Sequence, residues 1–588
     1  MSAHSVNSPA SGIDPITLEV IRQELVSIPN QIDKDIVRTA FSAFISEYKD
    51  YSVGIVDATG ALISQSRGSL AIFVANALGT AVKDGLAIYG ADNLRPGDVI
   101  LSNHAGTLGQ HLNNVVMYTP VHVDGKLIAF FCVLMHWIDI GGMMVGSCSS
   151  TVATEIFQEG LHLRTLRVVN EGRRNDELFR VIEYNTRFPD MLLGDIDAQL
   201  GGCEMGRQLV AQLASRYGVP AYDAAVRQMW DHSEAMVLSL LEQAKPGEYE
   251  AYSFLDNDGI LLDKIVPVGV KVRIAGRKLT VDFSGVADQL AGPFNAGRNG
   301  GAVAAARIAL KYFFTPGQAV NEGDFRPLEV EIPDGKFISA TGNGALGSSG
   351  NMIPTVVDTV MRALADAFPD RAVAAHHGTY GVHAFHGRDP QTGRHFYNLD
   401  TICGGWGASA TMDGYGPSRS NAHGDTGNVP VEMQEITCPY RFESYRLRPD
   451  SGGAGRQRGG LGVVKTYRIL GACRVNLKID RTQCRPWGLY GGGEGAASEV
   501  EIRRADGRVE RPLKGDHALD EGDLVIIRTA GGGGYGAAIE RPPALVARDV
   551  EHGYVSREAA RAVYGVALDE AGAVDSRETA RLRAGLAG

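Results

Sequence analysis

The chain has 588 residues, a formal net charge of −11, 44% apolar and 21% charged residues; this is an ordinary globular composition spread over too many residues for one core. The acidic balance and the lack of basic tracts exclude a general nucleic-acid binder. Residues 1–12 carry no basic-then-apolar leader pattern, and no apolar run is expected to reach membrane-spanning length, so a cytoplasmic location is expected. Seven scattered cysteines without a CxxC pair fit a reducing compartment, and 73 glycines in short, non-periodic runs imply tight turns rather than collagen or disorder.

In chain order, Ile16, Leu18, Ile21, Leu25, Ile28, Ile32 and Ile36 recur at three- and four-residue intervals and predict helix over 14–46. Strands are expected at 51–57 and 61–65, joined by Ala58-Thr59-Gly60, then a buried helix over 70–89 and a strand over 99–102. Next come two β-rich runs, 115–123 and 127–136, around Asp124-Gly125, a dipeptide suited to a two-residue type I′ turn. With that turn, opposed residues sum to 249: Asn113 faces His136, and His111 lies one diagonal step away, roughly 7–8 Å. The two imidazoles thus converge with Asn114 and Asp139 at the open end of the hairpin, a pattern suited to a metal or acid–base site.

Helices follow over 176–184, 194–217 and 222–243, a hairpin over 268–274 and 279–283, and long helices over 302–314 and 353–368. Strands at 462–469, 474–479, 499–503 and 523–528 alternate with Gly-rich turns and suggest a β-sandwich or barrel-like end. The expected fold class is mixed α/β (α+β) and multidomain. The expected division is a tail over 1–13, an α/β domain carrying the hairpin over 14–220 and a central α/β domain over 221–436. A β-rich domain over 437–545 and a helical segment over 546–588 follow.

Several strings resemble the hydantoinase B/oxoprolinase family: ITLEVIRQEL near 16, KDYSVGIVDATG at 49, TEIFQEGL at 154 and NTRFPDMLLGDIDAQ at 185. Others are GDFRPLEVEIP at 323, VPVEMQE at 429, YRLRPDSGGAGRQRGGLG at 445, DRTQCRPWGLYGG at 480 and TAGGGGYG at 529. They run in order through nearly the whole chain. The resemblance implies a B-type enzyme subunit working with an A-type subunit that binds ATP and magnesium, in a heteromeric, α₂β₂-like assembly. Such a chain hydrolyses a cyclic amide (hydantoin, lactam or oxoproline-like) after phosphorylation on the partner. The same family relationship admits two rivals: a subunit of an acetone- or acetophenone-type carboxylase, and a non-catalytic scaffold. No GxxxxGK[ST] loop occurs, in keeping with ATP binding elsewhere, and Gly342–Gly347 reads as a tight turn rather than a dinucleotide site.

By resemblance to the related carboxylases, a His-x-x-Asp and a later His would hold a divalent metal (zinc, manganese or iron), and these positions are His111, Asn114 and His136. An amide stands where a carboxylate is expected, while His104 replaces an acid just upstream; His104 or Asp139 would complete a His-rich site. His136 and His111 are the candidate catalytic residues, with Asp139 or Asp50 as orienter or base. Ser69–Ala75 replaces a His-containing family string with apolar residues, which suggests a less polar substrate. His376, His377, His383 and His386 read as structural or substrate-lining. Arg448, Asp450 and Arg456 read as a charged turn pinning the end domain. Cys148 and Cys484 show no His partner in sequence.

Overall fold

The computed structural model describes residues 13–586 except 75, 391 and 425, so the expected tail lies outside the described residues up to position 12. The first apolar stripe forms the helix Pro15–Thr39, started by Asp14, whose carboxylate accepts from the Thr17 amide at 3.0 Å. The helix stops earlier than the periodicity suggests: a separate turn, Ala43–Ser46, follows, and the buried Asp195 carboxylate accepts from the amides of Phe41 and Ser42 at the break.

This helix covers a seven-stranded antiparallel sheet built from β1 (Tyr51–Asp57), β2 (Leu62–Gln65), β3 (Val99–Ser102), β4 (Asn114–Val123), β5 (Lys126–His136), β6 (Leu166–Asn170) and β7 (Arg173–Arg174). Their order is β2-β1-β5-β4-β3-β6-β7, which puts the hairpin at the centre. In β5, Phe131, Val133 and Met135 enter one core with the helices Pro15–Thr39 and Pro189–Tyr217. Phe130, Cys132 and Leu134 enter another with Ala77–Tyr89 and Ser349–Ala365. Burial on both faces explains why the strand is apolar throughout instead of alternating.

The expectation that no run reaches spanning length needs one correction. Ala71–Tyr89 has 19 residues and a mean hydropathy of 1.4, enough by composition to cross a membrane. Its helices Ala71–Val74 and Ala77–Tyr89 instead lie against the sheet, with Ile72, Phe73, Leu78 and Val82 buried in the core.

A second sheet, β8 (Gly247–Leu255), β9 (Val266–Ala275), β10 (Lys278–Asp282) and β11 (Leu328–Glu331), packs against the helices Ala304–Phe314 and Ser349–Ala365. The third comprises β12 (Val382–Arg388), β13 (His395–Thr401), β16 (Cys473–Lys478) and β19 (Gly515–Leu519). It draws two strands from each side of residue 437, the expected boundary. The fourth contains β14 (Tyr440–Leu447), β15 (Val463–Ile469), β17 (Glu499–Arg503), β18 (Val509–Glu510) and β20 (Leu524–Arg528). The glycine strings of this half lock together: a Cβ on Gly532 would sit 1.9 Å from the Trp406 carbonyl, and Gly532 bonds Gly453 and Gly460 through its backbone. Arg448 donates to the carbonyls of Ala497 and Thr529, and Asp450 accepts from the Ser556 amide, so this turn does fasten the end of the chain.

Candidate functional site

The hairpin forms, with one correction to its register. Asp124 and Gly125 both take positive φ (50° and 76°), as a type I′ turn needs, and Val123 and His122 pair with Lys126 and Leu127 on the expected sum. A bulge between Val121 and His122 then inserts one residue, and from Val121↔Ala129 to the open end the sum is 250. Asn114, not Asn113, therefore faces His136. His111 precedes the strand, held by its amide to Ser349 Oγ at 3.0 Å, and its ring meets His136 edge-on with centroids 5.1 Å apart.

Asn113 has another task. Its side chain donates to the Trp137 carbonyl at 2.7 Å and accepts from the Cys148 amide at 3.2 Å. Gln199 ties the same region to the helix behind it, donating to the carbonyls of Val115 and Val133 and accepting from Trp137 Nε1. The loop after β5 thereby returns Cys148 to the hairpin, where Sγ lies 3.6 Å from His136 Nε2. Donor atoms of His111, His136 and Cys148 all lie within 4.8 Å of one another, the one such group of three His, Cys or acidic residues among the described residues. Cys148 thus has the histidine partner that sequence reasoning missed; its signal was a cysteine in the Gly/Ser-rich loop twelve positions beyond His136.

Asp139 and His104 lie elsewhere. Asp139 is fully buried, bonded to Arg187 at 2.8 Å and to the amides of Gly141, Gly146 and Arg187; it shapes the loop that carries Cys148. His104 stacks on His162 with centroids 5.0 Å apart and bonds Thr107. Asp50 is close: its carbonyl accepts from the His136 amide at 3.0 Å, and it lines a cavity of about 30 Å³, room for a water or two. Leu70, Ile72, Phe73, His111, Asn114 and Tyr380 also line it.

Asp50 Oδ1, His111 Nδ1, Asn114 Oδ1, His136 Nδ1 and the Tyr380 hydroxyl are all buried without a hydrogen-bond partner. Unpaired buried polar atoms are costly, and four of these, on Asp50, His111, Asn114 and Tyr380, belong to residues lining one small cavity, which points to a ligand. Burial pushes the Asp50 carboxyl up to about 7, lowers His136 to about 4 and holds His111 well below the usual imidazole range. The same cause raises the Cys148 thiol to about 12. Phe44 stacks on His136 at 5.5 Å with planes 7° apart, fixing the ring. Lys478, at the end of β16, donates to the carbonyls of Cys148 and Gly347, and Glu159 accepts from the Gly347 amide. A divalent cation fits the donors gathered here: two neutral imidazoles and a thiol within 4.8 Å of one another, with an amide oxygen and a carboxyl on the cavity that His111 also lines.

The second histidine group is dispersed. His376 bonds Asp358 at 2.6 Å, His383 bonds the Tyr467 hydroxyl at 2.6 Å and His386 bonds Asp516 at 2.8 Å, while both ring nitrogens of the buried His377 are unpartnered. Gly342–Gly347 is a turn that delivers the Gly347 amide to Glu159. Cys484 is buried near Arg481.

The family model for hydantoinase B/oxoprolinase matches residues 14–538. An uncharacterized protein of Methanocaldococcus jannaschii is 33% identical over 97% of this chain and 100% of its own length. The caprolactamase subunit beta of Pseudomonas jessenii is 28% identical over 97% and 99% of the two chains. The crystal structure of that ATP-dependent caprolactamase covers 97% of this chain and 100% of its own with a TM-score of 0.89 at 27% identity. Nucleotide-free acetone carboxylase superposes with the same TM-score over 98% and 83% of the chains at 19% identity, a likeness of fold.

Proposed function

This chain belongs to the hydantoinase B/oxoprolinase family, and from that premise we propose that it is the B-type subunit of an ATP-dependent amidohydrolase, opening a cyclic amide that an A-type partner has phosphorylated. ATP and magnesium belong to the partner in this reading, and the assembly is heteromeric and α₂β₂-like. The observation that carries it is the water-sized cavity beneath Asp50, whose buried carboxyl sits at about 7 with an unpartnered oxygen.

Amide resonance protects the carbonyl from water, and phosphorylation of its oxygen removes that protection. Asp50, half ionised near neutral pH, takes a proton from the water held in the cavity as the water oxygen adds to the activated carbon. The ring nitrogen leaves with a proton returned to it, and a second water releases phosphate from the acyl carbon. His111 and His136, neutral at this pH, keep lone pairs for a divalent cation or for the water. A cation held there by His111 and His136 would supply Lewis acidity and stabilise charge on oxygen. Leu70, Ile72 and Phe73 give the water-sized cavity an apolar wall.

The same wall favours a second reading, a ketone carboxylase, whose phosphoenolate must be shielded from water. The test is ATP-dependent ring opening by the reconstituted pair. The hydrolase proceeds without bicarbonate and loses about 10²–10⁴-fold in rate with His136→Ala. Labelled bicarbonate fixed into product would make the carboxylase reading correct instead. Full activity of His136→Ala would leave this chain a scaffold.

A further inference from the structure

Position 114 holds an amide, so the site lacks an anionic donor at that place; the structure offers another 34 positions later. We propose that Cys148 is a metal ligand in this chain, completing a two-histidine, one-thiolate set with His111 and His136 that selects a soft divalent ion such as zinc over manganese or magnesium. This inference rests on reading the hairpin end as a metal site and adds which residue supplies the charge.

The geometry agrees. With metal–sulfur and metal–nitrogen bonds of about 2.3 and 2.0–2.1 Å, a sulfur–nitrogen edge of a tetrahedron is about 3.5 Å. Cys148 Sγ stands 3.6 Å from His136 Nε2, and the remaining donor pairs lie within 4.8 Å. The sulfur is positioned: Asn113 Oδ1 accepts its amide, Lys478 holds its carbonyl, and the Asp139–Arg187 pair sets the loop that leads to it. A three-donor set leaves a fourth position open, the arrangement of catalytic rather than structural zinc, and one of the three donors, His111, also lines the cavity with Asp50, Asn114 and Tyr380. The charge also agrees. A thiolate here would face both the dication and the buried Lys478 ammonium, which already holds the Cys148 carbonyl. On binding, the S–H bond breaks, the metal–sulfur bond forms and the proton leaves to solvent.

The test uses the full-length chain, stripped of metal and titrated with cobalt(II). The expected result is one equivalent bound in tetrahedral geometry with an intense near-ultraviolet thiolate-to-cobalt charge-transfer band. In Cys148→Ser that band vanishes while weaker visible bands remain, and zinc affinity falls at least about tenfold. Wild-type cobalt binding that is abolished by His111→Ala/His136→Ala yet shows no charge-transfer band would overturn thiolate ligation and leave the metal site itself standing. Failure of the wild-type chain to retain cobalt or zinc would overturn both. The wild-type spectrum alone decides the point, whatever the stability of the serine variant.

Discussion

Asp50→Asn isolates the cost of building this site. The unfolded chain releases the Asp50 proton near 3.8, whereas burial holds the folded carboxyl to about 7. The folded state therefore binds more protons between those values, and wild-type stability falls as pH rises through them, the loss being complete above about 7. Three units at 1.36 kcal/mol each amount to about 4 kcal/mol, and the asparagine variant, with no proton to lose, escapes it. The variant should match wild type near pH 4, exceed it by about 1–2 kcal/mol at pH 5 and by about 4 kcal/mol at pH 8. At about 2–4 °C per kcal/mol for a cooperative unit of 150–250 residues, the pH 8 gap corresponds to a shift on the order of 10 °C. The assay is thermal unfolding in chelator across pH 4–8, with ring-opening activity measured in parallel and expected to collapse. Parallel stability profiles for the two proteins, or a variant less stable at pH 8, would refute the claim that Asp50 is buried as an uncompensated acid.

Arg187→Ala leaves the fully buried Asp139 carboxylate without its cation; breaking such a pair costs about 3–5 kcal/mol, read as a lower melting temperature, and loosens the Cys148 loop. Gly206→Ala places a Cβ 2.2 Å from the buried Phe131 ring and should cost about 1–3 kcal/mol by overpacking, with activity per folded molecule unchanged. Asn114→Asp restores a carboxylate opposite His136, and manganese binding measured by competition should tighten by roughly tenfold or more.

The sequence by itself determined the local architecture: the apolar stripe of Pro15–Thr39, the Asp124-Gly125 turn, β1 and β3 to the residue, and the family through its ordered strings. These are properties of spacing and of residues whose backbone preferences are strong. Tertiary structure decided what spacing does not encode. One bulge at Val121/His122 moved every pair beyond it, exchanging Asn113 for Asn114 opposite His136; a bulge leaves no mark in an apolar run buried on both faces. Asp139 is near His136 in sequence, yet Arg187 and three amides draw it into the loop. Cys148, Lys478 and Tyr380 come to the region of the hairpin's open end from three separate stretches, brought by the return of that loop, by a strand of a sheet that crosses the expected boundary, and by the turn leading into its neighbouring strand. Long-range packing of that kind depends on which faces meet, and a single chain read in order holds no periodic signal of it.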